Sequence, residues 1–264
     1  MEHERKFKIE LYNDNFQNFK SYNIPAKAQL VIADIPYNIG RNAYGSNPQW
    51  YVDGDNSNGE SKLAQASFFR TDNNFNIAEY FHFCSKLLKK EPKEKGQAPA
   101  MIVFCSWQQI PMVQEYGKKH GFNQSYPLYF IKNYSPQVLK ANMKILGATE
   151  TALVLYREKL PKFNNKWYGQ SHMIFNWFKW PRESKKIPKV HPTQKPVELL
   201  KELIRIFTDP FDVVIDPVAG SGSTLRACAE LQRTCYGFEV DKGFYKAAQS
   251  VIKLPEVQEM SLFG

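Results

Sequence analysis

Asp216-Pro-Val-Ala-Gly-Ser-Gly-Ser-Thr224 is the stretch that decides the fold of this 264-residue chain. The residues before it, Val213-Val214-Ile215, are apolar and β-branched, as a buried parallel strand requires. Asp216 closes that strand, Gly220-Ser221-Gly222 suits a tight turn, and Thr224 to Leu231 reads as a helix. Strand, glycine turn and helix in succession present backbone N–H groups and a helix N-terminus to a ligand. A further strand, Cys235-Tyr-Gly-Phe-Glu239, ends in an acid nineteen positions after Gly220. That is close to the ~20-residue spacing at which an acid reaches ribose hydroxyls in nucleotide-binding α/β folds.

A nicotinamide dinucleotide site is the obvious competing reading, and Leu225 argues against it. In G-x-G-x-x-G the third glycine lets helix and strand pack closely, and here leucine holds that position. A phosphate-cradling G-x-x-x-x-G-K-[ST] loop is also absent. A nucleoside-bearing cofactor without a diphosphate fits the pattern better.

The length suits one sizeable α/β domain with insertions, or at most two small ones. No run approaches 18 apolar residues, and Met1 to Lys8 is too charged for a secretory signal, so no membrane association is expected. Cys84, Cys105, Cys228 and Cys235 form no C-x-x-C pair and no cluster with histidine. They read as core thiols in a reducing cytoplasm, and no metal site is expected. The net charge of +9 points to an acidic partner, with nucleic acid the default. The charge is local: nine Lys/Arg lie between Arg157 and Lys189 against Glu158 and Glu183.

Working outward, Phe7 to Tyr12 alternates as a first strand. Leu30 to Ala33 is a second, and it too ends in an acid, Asp34-Ile35-Pro36-Tyr37. An acid, a proline and an aromatic at a strand's C-terminal end lie where open α/β sheets place ligands, although Asp and Pro are also ordinary turn residues. Residues 38–76 are rich in Asn, Gly, Ser and Asp and are too long for a plain connection, so they are expected to form a mobile lid or DNA-contacting loop. Helices are expected over Ile77 to Leu88, Met112 to His120, Val197 to Phe207 and Phe244 to Ile252. Met101 to Phe104 reads as a third strand, and Leu128 to Ile131 and Thr151 to Tyr156 as two strands of a sheet edge. The basic segment also holds Phe163, Trp167, Tyr168, Phe175, Trp177, Phe178 and Trp180. Basic residues interleaved with aromatics suit phosphate contact and base stacking, and equally a small subdomain with its own aromatic core.

Together these pieces resemble the amino-methyltransferases that act on DNA. Asp34-Ile-Pro-Tyr37 is similar to their Asp-Pro-Pro-Tyr catalytic motif, and Asp216 to Thr224 to their Asp-Pro-Phe-x-Gly-Ser-Gly-Thr-Thr cofactor motif. His191-Pro-Thr-Gln-Lys-Pro196 is similar to the His-Pro-Thr-x-Lys-Pro block that precedes it. The catalytic motif first and the cofactor motif last match the permuted β class, with the basic-aromatic segment where that class keeps its target-recognition region. The resemblance covers Leu30 to about Ile252. It implies a Rossmann-like α/β fold: a mostly parallel sheet with helices on both faces and a small basic target-recognition insert. Residues 1–156 would be the catalytic half, 157–190 the insert, 191–254 the cofactor half of the same domain, and 255–264 a tail.

The resemblance further implies N6 methylation of adenine in double-stranded DNA from S-adenosylmethionine. An exocyclic amine is a poor nucleophile because its lone pair is delocalised, so it must be aligned and its developing charge stabilised. Asp34 and the Ile35 carbonyl would accept its N–H bonds, Pro36 would fix the turn, and Tyr37 would stack on a base flipped from the duplex. Glu239 would hold the cofactor ribose. Asp216, Pro217, Ala219, Gly220, Ser221, Gly222 and Thr224 would surround its methionine moiety, as would Asp34. Thr193 and Lys195 would lie near the cofactor carboxylate, and Asp14 near its adenine. DNA contacts are expected from Arg41, Lys166, Trp167, Lys179, Trp180, Arg182, Lys185 and Lys186. Two departures stand out: Ile35 replaces a proline and loosens the turn, and Val218 replaces a phenylalanine expected on the cofactor adenine. Asp rather than Ser at position 34 favours adenine over cytosine N4. An RNA or protein amide methyltransferase and a non-catalytic DNA-binding partner subunit are the rival readings. A homodimer is expected by the same resemblance, and Glu259-Met-Ser-Leu-Phe263 is similar to the peptides that dock on bacterial sliding clamps.

Overall fold

The computed structural model describes residues 7–25, 27–36, 75–133, 137–140, 145–167, 170–191 and 193–252. Tyr37, Arg41 and the expected lid therefore lie outside the described residues, as does the clamp-like tail. Twelve strands are described: β1 (Ile9–Tyr12), β2 (Ala28–Asp34), β3 (Ala100–Cys105), β4 (Gln124–Lys132), β5 (Gln137–Lys140), β6 (Ile145–Gly147), β7 (Thr149–Tyr156), β8 (Lys166–Trp167), β9 (Gln170–Ser171), β10 (Trp177–Trp180), β11 (Val213–Asp216) and β12 (Thr234–Phe238). The helices are α1 (Ile77–Leu87), α2 (Ile110–Lys119), α3 (Val197–Phe207), α4 (Ser223–Glu230) and α5 (Lys242–Ile252).

Eight strands form one sheet in the order β1-β12-β11-β2-β3-β7-β4-β10. Every neighbouring pair is parallel except the two made by β7. Both faces are covered, which is why the central strands are continuously apolar. Leu30 and Ile32 point to a layer built from α3 and α4, while Val31 and Ala33 point to one built from α1, α2 and Phe16. α1 starts at a side-chain cap, Asn76 accepting from the backbone of Ala78 and Glu79, while α3 starts just after Pro196, whose fixed φ leads into the helix.

Close packing of α4 on β12 has its glycine on the strand. A Cβ on Gly237 would lie 2.7 Å from Leu225 Cδ1, so the leucine that replaces the third fingerprint glycine fills the space above a glycine of β12.

The segment 157–190 departs from expectation. β4 and β7 are not the sheet edge; β10 is, pairing parallel with β4 and burying Phe178 and Trp180 in the main core while Trp177 and Lys179 face out. Among the described aromatics of this segment, Phe178 and Trp180 therefore belong to the main core and not to a separate one. Its first residues are also stitched to the main domain. Pro161 bridges to Ala98, Lys162 pairs with Asp209 and Asp212, and Asn164 donates to the carbonyls of Arg205 and Thr208. Among the described residues, no helix is long and apolar enough to cross a membrane, and no group of His, Cys, Asp or Glu is arranged to hold a metal.

Candidate active site

The carboxyl ends of β2, β11 and β12 open into one cavity of about 330 Å³, where ligands bind in open α/β sheets. Asp34, Ile35 and Pro36 line one end; Asp216, Pro217, Ala219, Gly220, Ser221, Thr224 and Glu239 line the other; Thr193 and Lys195 lie between them.

The Asp216–Glu239 end is built mainly from backbone. Gly220 (φ 51°) and Gly222 (φ 77°) both take left-handed conformations that side chains disfavour. This bends the chain so that the Gly220 N–H donates to Glu239 Oε2 at 2.9 Å. The Asp241 N–H donates to Glu239 Oε1 at 2.7 Å, and the Val218 N–H to Asp216 Oδ1 at 3.1 Å. Burial pushes both acids up to about 7 despite these hydrogen bonds. His191 lies across the turn against Phe244, ring centroids 4.4 Å apart, with Nδ1 3.0 Å from Thr193 Oγ1. Burial, helped by Lys195, lowers the imidazole to about 4, so it is neutral at physiological pH. Phe16, Phe238 and Phe244 supply aromatic wall beside Val218, in place of the phenylalanine expected at that position.

The opposite end is held by charge. Lys195 Nζ lies 2.7 Å from Asp34 Oδ2 and 3.1 Å from Glu150 Oε2. Lys132 pairs with the other Glu150 oxygen, Oε1. The Lys195 ammonium sits over the rings of Phe104 at 4.5 Å and Trp180 at 5.4 Å, and Lys132 over Trp180 at 4.5 Å. Burial alone would lower Lys195, but Asp34 and Glu150 outweigh it and raise the ammonium above its ordinary value. Glu150 is the mirror case: burial would raise it, yet Lys195 and Lys132 bring it below the usual carboxylate value.

Ile35 turns out to tighten its turn. Its backbone N–H, which proline lacks, donates to the Phe104 carbonyl at 3.2 Å, and its side chain is buried in the core. Gln109 adds a second tie, donating to the Pro36 carbonyl at 2.8 Å and accepting from the Ser106 N–H at 3.0 Å.

Three expected contacts are not where the sequence put them. Asp14 does not line the cavity: its carboxylate accepts from the Asn15 N–H, the Asn18 amide and the Tyr22 hydroxyl, shaping a turn whose next residues, Asn15, Phe16 and Gln17, do line it. Gly222 lies beneath the turn, where a Cβ would come within 3.0 Å of Ile252. Trp180 is 6% exposed, so its ring is a core platform and not a stacking surface for DNA. By contrast Lys166, Lys179, Arg182, Lys185 and Lys186 are exposed. The Trp167 side chain lies outside the described residues. Glu150, Lys132 and Phe104 carried no motif signal, since each sits in a strand far along the chain from its partners.

A family model for DNA methylases, N6_N4_Mtase, matches residues 28–250. The chain belongs to this DNA methylase family. Among curated members it is 26% identical over 251 residues to the DNA adenine methyltransferase YhdJ of Escherichia coli (strain K12), an alignment covering 84% of this chain and 76% of that one. YubD of the same organism is 30% identical over 155 residues, covering 56% of this chain and only 60% of the relative's length. Two solved structures share the fold: the M1.HpyAVI–SAM complex (TM-score 0.63, 22% identity, 93% of this chain and 100% of that one) and the cytosine-N4-specific PvuII DNA methyltransferase (TM-score 0.67, 17% identity, 96% and 89%).

Proposed function

We propose that the chain transfers a methyl group from S-adenosylmethionine to the N6 amino group of adenine in duplex DNA, acting on a base turned out of the helix, and that it is a β-class enzyme. The observation that carries this reading is the single cavity in which Asp34, fixed at the end of β2, faces the Asp216–Gly220–Glu239 turn. The cavity suits the cofactor chemically. Glu239 offers acceptors for a ribose diol, the aromatic walls suit a nucleoside, and the carboxylates of Asp34, Asp216 and Glu239 disfavour a diphosphate while tolerating a sulfonium. When bound, S-adenosylmethionine supplies a methyl group made electrophilic by its positively charged sulfur.

The remaining work falls to the chain. Asp34 and the Ile35 carbonyl accept the two N–H bonds of the amine, which draws its lone pair out of the ring and towards the donor. Ile35 N–H and Gln109 keep that acceptor pair rigid, so alignment costs little at the moment of reaction. Exposed Lys166, Lys179, Arg182, Lys185 and Lys186 supply the phosphate contacts that position a duplex. Adenine is favoured by the carboxylate at position 34 and by the likeness to a DNA adenine methyltransferase across most of the chain.

The test is methyl transfer from labelled S-adenosylmethionine to unmethylated bacterial DNA, followed by nucleoside analysis. N6-methyladenine is expected, and its loss in Asp34→Ala would support the assigned acceptor. N4-methylcytosine would overturn the base assignment. Cofactor binding without product on any DNA would favour a non-catalytic partner subunit.

A further inference from the structure

We infer that Glu150 and Lys195 form a positioning pair for Asp34: Glu150 anchors the Lys195 ammonium, and Lys195 fixes the carboxylate that meets the target amine. This rests on the reading of Asp34 above. Four separate pieces of chain converge here. Asp34 ends β2, Glu150 lies near the start of β7, Lys132 ends β4, and Lys195 arrives from the segment ahead of α3. Glu150 divides its oxygens, Oε1 to Lys132 and Oε2 to Lys195, so each ammonium has its own acceptor. The two ammoniums share the Trp180 ring, and Phe104 closes over Lys195 from β3.

The enclosure explains why both carboxylates are needed. The side chains of Lys132 and Lys195 are each only 8% exposed, so water cannot replace a lost partner. Two ammoniums against two carboxylates leave the cluster balanced, and removing Glu150 leaves two cations around Asp34 alone. Lys195 would then deprotonate or swing, and in either case the hold on Asp34 Oδ2 is lost. An ammonium at 2.7 Å also favours the ionised carboxylate, so the pair keeps Asp34 a hydrogen-bond acceptor. The charged and titratable groups facing Lys195 are Asp34, Glu150, Lys132, His191 and Asp216, with Cys105 beside Asp34. If Lys195 served the cofactor carboxylate instead, Glu150 would matter only through cofactor binding.

The experiment uses the full-length chain carrying Glu150→Gln, Glu150→Asp or Lys195→Arg, with Asp34→Asn as control. It measures S-adenosylmethionine affinity by calorimetry and kcat on DNA from neutral to alkaline pH. Glu150→Gln is expected to lower kcat about 100-fold, the scale of a misplaced reacting group, without weakening the cofactor. Its alkaline limb should move to lower pH, because one of the two carboxylates that keep Lys195 protonated is gone. Glu150→Asp should recover part of the rate. Unaltered kcat and pH profile in Glu150→Gln, or a loss confined to cofactor affinity, would overturn the pair. If Glu150→Gln fails to fold by circular dichroism, Lys195→Arg decides: the larger, planar guanidinium at the Asp34 Oδ2 contact should lower kcat with cofactor affinity retained, and an unchanged kcat overturns the inference. Asp34→Asn separates the parent reading. Methyl transfer surviving in that variant sinks the role of Asp34 itself, whereas its loss beside normal Glu150→Gln sinks only the pair.

Discussion

The two ends of the cavity hold their acids by different means. Asp216 and Glu239 accept from the backbone N–H groups of Val218, Gly220 and Asp241, in a turn folded from adjacent residues. Asp34 and Glu150 are held by the side-chain ammoniums of Lys195 and Lys132, brought from distant strands and loops. Burial acts on both pairs and the outcome differs. Asp216 and Glu239 rise to about 7, with Lys195 offsetting burial at Asp216 only in part, while Glu150, in direct ion pairs with two ammoniums, stays below its usual value.

The largest effect that would break this contrast is at Asp34. Asp34→Ala is expected to lower methyl transfer about 1000-fold, at the upper end for one preorganised electrostatic group, with cofactor affinity retained by calorimetry. Equal loss of both would mean that the two ends are one site. Next comes Lys195→Met, which leaves Asp34 and Glu150 as neighbouring half-buried carboxylates around an apolar side chain. It should cost about 3–5 kcal/mol in urea denaturation.

The pH response of the apo-protein sharpens the comparison. Asp216 and Glu239 have folded values near 7 against unfolded ones near 4, so the folded state binds more protons between them. Stability from these groups is greatest below about 4 and falls as pH rises through about 7, on the order of 4 kcal/mol per group. Glu150 runs the other way: lowered on folding, it stabilises above its unfolded value and loses that contribution as pH falls through its folded one. Denaturation midpoints across pH should show the Asp216 slope vanish in Asp216→Asn. Smaller still is the effect on cofactor affinity. If ribose hydroxyls donate to ionised Glu239, affinity should rise with pH and level off above about 7. Glu239→Gln should bind about 10-fold more weakly, the cost of roughly one charge-assisted hydrogen bond, with a flatter profile. Least of all, Gly237→Ala should cost about 1–2 kcal/mol by overpacking against Leu225, partly restored by Leu225→Val in a double-mutant cycle.

Legibility in the sequence follows the same divide. The Asp216–Glu239 end of the cavity could be read because its turn occupies nine consecutive residues and its acid follows at a fixed spacing. Asp34 could be read because the strand before it is apolar on both faces. Glu150 could not, since one acid in an alternating strand looks like any surface residue until Lys195 and Lys132 arrive. Trp180 was misjudged for a related reason. The composition of 157–190 pointed to nucleic acid, while the period-two alternation of Trp177 to Trp180 carried the strand that completes the sheet. Asp14 looked like a ligand at a strand end because its three hydrogen-bond partners, all within eight residues, form a turn without a fixed pattern.

The strand order also dictates when the molecule can be finished during synthesis. Among the described strands β1 pairs with β12 alone, so Ile9 waits for Cys235. β2 can join β3 early, but its other edge stays open until β11 arrives. Until β11 is made the nascent chain therefore carries an uncovered apolar strand edge, the feature most prone to wrong pairing. Closure comes when β11 and β12 enter between β2 and β1, with α4 connecting them. The segment that forms the Asp216–Thr224 turn is thus also the one that seals the sheet, and a chain stopped short of it would have neither.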